Sequence, residues 1–202
     1  SDLQVSNIKD LTGSNTGLSI ASDGQVTIAQ NNPTVTLGSN ATFPAGHVIQ
    51  FFSDTYGPTS AIDVTTTSDD YLGSNLQVTI TPKATGNKLL ITAFIPGIFS
   101  VVATRSLNAG FAYDTDFASS NGTTIGPKAA IAHQVSYASD TAETMEALQY
   151  SIVVSVGTNA PSAGSTQIIR PIFQSNVNTT KIAYNASSTA AVMTLTVMEI
   201  QA

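Results

Sequence analysis

Apolar and polar residues alternate most clearly between Leu76 and Phe94. Leu76, Val78 and Ile80 are separated by single polar residues, which is the period of a strand with one buried face. Residues 89–91 form a continuous apolar run, which suits a strand covered on both faces. The segment between them contains a proline and a Gly-Asn pair, which favour a reversal of the chain. The pattern therefore predicts a β-hairpin, which needs a further sheet to cover its apolar face.

Further segments with strand-like patterns follow along the chain. The segment after Ser139 could begin a helix, because Asp140 could cap it and Glu143 lies three positions on. The strict alternation from Leu148 to Val156 contradicts a helix and predicts a strand. About eight or nine strands after residue 46 predict an all-β fold for residues 47–202, an antiparallel β-sandwich of jelly-roll type. The other predicted strand segments are 47–53, 61–67, 107–113, 129–137, 167–173, 192–200 and 95–104, the last of which directly continues the second strand of the hairpin. The segment 192–200 is expected to pair inside a sheet.

Residues 1–46 differ from the rest because their apolar positions come in short groups. Three apolar-polar-apolar triplets, each followed by a turn cluster, begin 8 and then 9 residues apart. Each triplet is too short to be stable alone, so the segment is expected to lie against its own body, a sister chain or another protein. A flexible polar leader is the alternative, because Asn, Ser and Gly are frequent here. We predict an extended N-terminal β arm that ends in a Pro-Gly bend and uses these assembly residues: Leu18, Ile20, Val26, Ile28, Val35 and Leu37.

Charge and cysteine content argue against several classes of function. The 202-residue chain has a net charge of −6 and 7 scattered Lys and Arg residues. A phosphate backbone is bound by clustered basic residues, so nucleic acid is not expected as a partner. The sequence contains neither a run of 18 apolar residues nor a basic leader followed by an apolar core, so we predict no membrane span and no signal peptide. With 0 Cys, disulfides and thiolate chemistry are excluded.

Residues that could perform chemistry are few, and their spacing does not combine them. His47 and His133 are the only histidines, and each is expected to be a hydrogen-bonded structural residue. Asp114 and Asp116 could begin a calcium loop, but Ser119 stands where that loop requires Gly and no Glu closes it, which favours a solvated turn. No spacing pairs two carboxylates as a glycosidase requires. The sequence therefore predicts no enzyme activity, no cofactor and no metal site.

Four segments resemble virion proteins of tailed bacteriophages, in particular cyanobacterial phage proteins described as tail fibre or structural proteins. They are NIKDLTGSNTGLSIASDGQVTI, ATFPAGHVIQ, TTTSDDYLGSNLQVTITPKATGNKLLI and TLTVMEI. The most specific parts are FPAGHVIQ, the L-x-V-x-I-T-P turn and the M-E-I sequence at residues 198–200. The loops from Gly110 to Asp140 do not resemble the family. The resemblance implies a trimeric β-sandwich head on an N-terminal arm, displayed on the exterior of the virion.

Two positions in such a particle are compatible with the sequence. As a capsid cement or decoration protein, the head would cover a junction of capsid subunits and the arm would add β pairing to the major capsid protein. As a short tail fibre or receptor-binding knob, the arm would dock to a tail component, with Tyr113 and Tyr137 facing a host-surface glycan. Because the sequence contains no shaft and no recognisable tail-docking domain, decoration is favoured. An unrelated lectin or carbohydrate-active enzyme is disfavoured by the lack of Trp and of paired acids.

Overall fold

The computed structural model divides the chain into two units, Ser1–Thr42 and Phe43–Ala202, which we call the arm and the head. Among the described residues the chain forms strands and turns, and none of it is a helix long and apolar enough to cross a membrane. The described residues are 7–9, 16–20, 26–28, 44–64, 76–98, 105–118, 122–126, 135–137, 146–175, 180–183 and 191–202.

The arm contains a small antiparallel sheet of three strands, in the order β1-β2-β3. Its register places Ile8, Leu18 and Ile28 in one row across the sheet. The neighbouring row is polar and contains Ser19 and Thr27. Apolar and polar rows therefore alternate, as expected for a sheet with one apolar face. The strands are β1 (Asn7–Lys9), β2 (Thr16–Ile20) and β3 (Val26–Ile28).

The head contains two larger antiparallel sheets that pack as a sandwich. One sheet has the order β11-β7-β14-β4, and the other has the order β10-β8-β12-β6 with β9 added to β8. A separate pair joins β13 to β5. The strands are β4 (Val48–Tyr56), β5 (Ile62–Val64), β6 (Val78–Ile80), β7 (Lys88–Ile98), β8 (Arg105–Asp114), β9 (Thr123–Thr124), β10 (Val135–Tyr137), β11 (Glu146–Ser155), β12 (Gln167–Ser175), β13 (Thr180–Ile182) and β14 (Met193–Ile200).

Strand pairing in the head is nested. With the short strands β5, β9 and β13 set aside, the first of the eight remaining strands pairs with the last, as β4 with β14. The second pairs with the seventh, the third with the sixth and the fourth with the fifth, as β6 with β12, β7 with β11 and β8 with β10. Eight strands wrapped in this way form a jelly roll. The predicted fold class, an all-β antiparallel sandwich of jelly-roll type, is confirmed.

The hydrophobic core lies between the two sheets and follows the period of two. In β14, Met193, Leu195 and Val197 are fully buried, and they alternate with half-buried residues on the opposite face. In β7, Leu89 and Ile91 are fully buried in the same way. The core also includes Val78, Ile80, Ala93, Ile95, Leu107, Ala109, Phe111, Leu148, Ile169 and Phe173.

One aromatic pair brings a polar group to the core. The rings of Phe111 and Tyr150 are stacked, with centroids 4.7 Å apart. The Tyr150 hydroxyl donates a hydrogen bond to the carbonyl oxygen of the buried Gly110 at 3.1 Å. Because a phenolate would lose its hydration here, desolvation raises the pKa of Tyr150 well above its ordinary value.

The predicted hairpin between Leu76 and Phe94 is wrong in its pairing. Its first strand, β6, pairs with β12, whereas its second, β7, pairs with β11 and β14 in the other sheet. The chain crosses between the sheets through residues 81–87. Leu90 is half-buried on the outer face of its sheet, so the apolar run 89–91 is not covered on both sides. Alternation identified both strands correctly, but it contains no information on which sheet each strand joins.

Most other strand predictions agree with the described residues. The final strand is confirmed as a paired inner strand, because β14 bonds to β7 and β4. Strands β9 and β13 were not predicted, since two or three residues are too short to show a period. The predicted segments 65–67, 99–104 and 129–134 lie outside the described residues. The predictions 47–53, 107–113, 148–156, 167–173 and 192–200 correspond to β4, β8, β11, β12 and β14.

Candidate assembly surface

The predicted assembly residues of the arm lie on two of its three strands, as far as they are described. Leu18 and Ile20 belong to β2, and Val26 and Ile28 belong to β3. The register pairs Leu18 with Ile28 and Ile20 with Val26, so β2 and β3 bring these four positions together. Val35 and Leu37 lie outside the described residues. The assembly role of all six stays a prediction.

The chain enters the head at a turn that is bonded to the end of β14. The His47 N–H donates to the Pro44 carbonyl oxygen at 3.2 Å, which closes the turn. The Gly46 N–H donates to the Gln201 carbonyl oxygen at 2.8 Å, and the Gln201 N–H donates to the His47 carbonyl oxygen at 2.8 Å. Gly46 has φ +89°, a conformation that glycine adopts without strain. The point at which the chain leaves the head towards the arm is thus fixed by backbone hydrogen bonds.

A buried carboxylate lies beside this entry point. Glu199 is fully buried, and one of its oxygens, Oε1, accepts hydrogen bonds from Asn87 Nδ2 at 2.7 Å and from the Lys83 backbone N–H at 2.9 Å. The other oxygen accepts from Gln50 Nε2 and from the same Lys83 N–H, the latter at 3.1 Å. Gln50 also donates to the Thr81 carbonyl oxygen at 3.0 Å.

This cluster joins three parts of the head. Glu199 lies on β14 and Gln50 on β4, while Asn87 and Lys83 lie in the crossing between the sheets. The donors are amide and backbone groups, which hold the carboxylate as a structural acceptor. Sequence reasoning did not single out Glu199. Its signal is nevertheless visible, because it continues the buried positions Met193, Leu195 and Val197 at the same period.

The two tyrosines expected to face a ligand lie in different strands of one sheet. Tyr113 is in β8, is half-buried and packs against the hydrophobic core. Tyr137 ends β10, where it pairs with Arg105, and its side chain is outside the description. Tyr137 pairs with the first residue of β8, whereas Tyr113 lies near the other end of that strand, so the two positions are far apart in the sheet. Their role towards a glycan stays a prediction.

The predicted turn at Asp114 and Asp116 uses its carboxylates for local backbone bonds. Asp114 Oδ1 accepts from the Thr115 N–H at 2.6 Å, and Asp116 Oδ1 accepts from the Ala118 N–H at 2.9 Å. Within the described ranges, no three His, Asp or Glu residues are grouped to hold a metal ion.

The outer face of the five-stranded sheet is partly covered by a loop of the head itself. Phe117 follows β8 and packs against Ala112 and Ile172, which point away from the core. The guanidinium of Arg170 lies 4.5 Å from the centroid of the Phe117 ring, at cation–π distance. Arg170 Nε also donates to Gln77 Oε1 at 2.9 Å.

The outer face of the four-stranded sheet carries exposed apolar residues instead. The strand register places Phe51, Met198, Leu90 and Val153 in one row, with one residue from each strand. We call this row the outer stripe. Phe51 and Val153 are 58% and 60% exposed, whereas Leu90 and Met198 are half-buried. The next row contains only hydroxyl side chains, those of Ser53, Thr196, Thr92 and Ser151.

Comparison with known proteins gives no family assignment. No protein-family model matches the chain, and no curated protein matches it. Solved structures that resemble it include chains of viruses and of virus-derived particles. A chain of infectious bursal disease virus, Gx strain, shares 13% identity with a TM-score of 0.35, over 85% of this chain and 42% of that chain. The VP2 subviral particle of the same virus gives 12% identity and a TM-score of 0.30, over 85% and 43%.

A third similar structure is a full particle of Israeli acute paralysis virus heated to 63 degrees. It shares 10% identity with a TM-score of 0.27, over 99% of this chain and 92% of that chain. The chain thus spans less than half the length of the bursal disease virus proteins. Scores this low carry no argument for a common function, and the jelly-roll assignment rests on the strand pairing alone.

Proposed function

We propose that this chain is a non-enzymatic structural protein of a virus particle. The nested strand order supports the proposal most directly, because double-sheet jelly rolls are a common architecture of viral capsid domains. A fold alone does not determine function, so a second observation is needed. It is the fixed entry of the chain into the head, where Gly46 and His47 bond to Gln201. A rigid exit point suits a head that is mounted through a preceding segment.

In finer detail, we propose a tailed-bacteriophage capsid cement protein. The head is a homotrimer on the exterior of the virion, and the arm attaches it to the major capsid protein by added β pairing. The resemblance of four sequence segments to virion proteins of tailed bacteriophages supports the phage assignment. The arm supports attachment, since its sheet consists of two triplets and one five-residue strand, and burying its apolar row against a partner would stabilise so small a sheet.

A short tail fibre or receptor-binding knob is the second candidate. Jelly rolls also occur in lectin domains, so the same fold suits a head that binds a host-surface glycan. In that arrangement the arm docks to a tail component, and the copy number in the particle is small.

Copy number in purified particles tests the first proposal. Trypsin releases residues 106–128 by cleavage after Arg105 and Lys128, and an isotope-labelled copy of this peptide allows the chain to be counted by mass spectrometry against the major capsid protein. Hundreds of copies per particle support cement, whereas tens or fewer support a fibre. Absence from purified particles of a phage that encodes the chain would overturn both.

Rebinding to particles that lack the chain tests the arm. The double variant Leu18→Ser/Ile28→Ser changes two paired apolar positions of β2 and β3 and is expected to abolish rebinding. Ser19→Ala/Thr27→Ala changes the neighbouring polar pair of the same strands and serves as the matched control. Equal rebinding of the two variants would contradict attachment through the apolar row.

A further inference from the structure

The two outer faces of the sandwich differ in how they are covered. On the five-stranded sheet, Phe117 of the head's own loop packs over Ala112 and Ile172. On the four-stranded sheet, Phe51 and Val153 of the outer stripe keep more than half of their surface exposed. Large apolar side chains scattered singly on a surface need no explanation, but a row of four across a whole sheet forms a contiguous patch.

The described surroundings of the outer stripe carry little charge, although the chain as a whole is acidic. The chain carries 13 Asp and Glu residues. On these four strands the side chains of two acidic residues are described, and neither reaches the outer face. Asp54 accepts a hydrogen bond from the Gln77 N–H at 2.9 Å, and Glu199 is buried in its own cluster. Among the described side chains, the charged residue on this face is Lys88, at the start of β7. Its Nζ donates a hydrogen bond to Ser155 Oγ at 2.6 Å.

The size of the face suits a stable contact between proteins. Four strands at about 4.8 Å spacing are roughly 19 Å wide. An eight-residue strand such as β14 is about 27 Å long, so the footprint is on the order of 500 Å². Each partner of a standard interface buries about 800 Å², which is the same order of magnitude.

We propose that the outer stripe is the surface through which copies of this chain associate. A second copy is the occupant that the charges favour, because two chains of net charge −6 repel each other least where they meet through a face whose described side chains include no carboxylate. In a closed ring the stripes of neighbouring copies meet around the symmetry axis, with the hydroxyl row beside them. The inference rests on the homotrimer of the proposed function and deepens it by naming the interface.

The mass of the 202-residue protein in solution tests this inference. Wild type is expected at about 63 kDa, three chains of 20.9 kDa, by light scattering and native mass spectrometry. Phe51→Ser/Val153→Ser removes the two most exposed members of the stripe and is expected to weaken association at least about 100-fold, to the mass of one chain at micromolar concentration. Phe51→Asp is expected to do the same by placing like charges at the contact.

Val192→Ser is the matched control, since Val192 is equally exposed, at 54%, but precedes β14 and lies outside the stripe. Circular dichroism and thermal unfolding verify that each variant is folded. The inference would be overturned if the wild type had the mass of one chain at protein concentrations up to tens of micromolar. Stripe variants that stay associated would overturn it as well. Neither result depends on particle binding. If the stripe variants dissociate as expected but the wild type never rebinds particles, the proposed virion role is overturned and the proposed interface is still supported.

Discussion

Replacing Glu199 by alanine tests whether the buried carboxylate holds the base of the head together. The substitution removes the acceptor of the Lys83 N–H and of Asn87 Nδ2, and Asn87 is itself buried. Gln50 loses one partner but keeps its bond to the backbone of the crossing segment. Asn87 is then left as an unsatisfied buried donor, which costs about 1–3 kcal/mol. The lost bond of the Lys83 N–H and the cavity left by the side chain add to this cost, so the free energy of unfolding is expected to fall by about 3–5 kcal/mol.

The conservative variant separates hydrogen bonding from shape. In Glu199→Gln the amide oxygen can still accept from Lys83 and Asn87, but its NH₂ group faces the NH₂ group of Gln50. We therefore expect a smaller loss, of about 1–2 kcal/mol. For a domain of this size, 1 kcal/mol shifts the Tm by about 2–4 °C, so the alanine variant is expected to melt roughly 10 °C lower.

Urea denaturation and thermal melts followed by circular dichroism measure both variants. The protein concentration must be the same throughout, because an oligomer makes Tm depend on it. Asp116→Ala is the control: it removes one carboxylate with one hydrogen bond at an exposed turn and is expected to cost less than about 1 kcal/mol. If Glu199→Ala also stays within about 1 kcal/mol of wild type, water must reach the donors, and the reasoning from burial is refuted.

Three further substitutions test other parts of the head. Tyr150→Phe removes one hydrogen bond and is expected to lower the free energy of unfolding by about 1 kcal/mol at pH 7. Because the pKa of this phenol is raised in the folded state, wild-type stability should fall as the pH rises above about 10. Urea titrations at two pH values should show a smaller fall for the variant. Gly122→Ala places Cβ 2.8 Å from a backbone oxygen at a residue with φ +76°. Its Tm should be well below that of Gly46→Ala, because Gly46 has a similar φ of +89° but no atom lies within 4 Å of the added Cβ. Equal Tm values would contradict the steric argument. Leu195→Ala empties a fully buried site of β14 and should cost about 3–5 kcal/mol in urea, whereas the adjacent outer-face Thr196→Ala should stay within about 1 kcal/mol.

The sequence was sufficient to predict strands but not their partners. A period of two identified β14 and the longer strands because burial on one face leaves that pattern directly in the residues. Pairing depends on contacts between distant segments, so the crossing at residues 81–87 had the appearance of a hairpin turn. Proximity along the chain was therefore a misleading guide to proximity in the sheet.

The buried carboxylate, the outer stripe and the arm were predictable to different degrees. Glu199 could have been found, because it occupies the buried phase of an otherwise apolar strand. The outer stripe could not, since Phe51 and Phe52 are adjacent and the sequence does not say which of the two faces outwards. The row appears only when the register aligns residues from four strands. The arm was predicted from its triplets, and its role in assembly stays a prediction.

The nested pairing also has a consequence for how the protein is made. Gln50 and Glu199 touch although they are 149 positions apart, and β14 fills the gap between β4 and β7. During translation both neighbours are therefore released long before the strand that joins them, and the strand edges that will pair with β14 stay unpaired until it is made. Closing such long loops is slow. A nascent chain arrested before residue 193 lacks the central strand of one sheet and is expected to recruit chaperones or aggregate instead of forming a partial head.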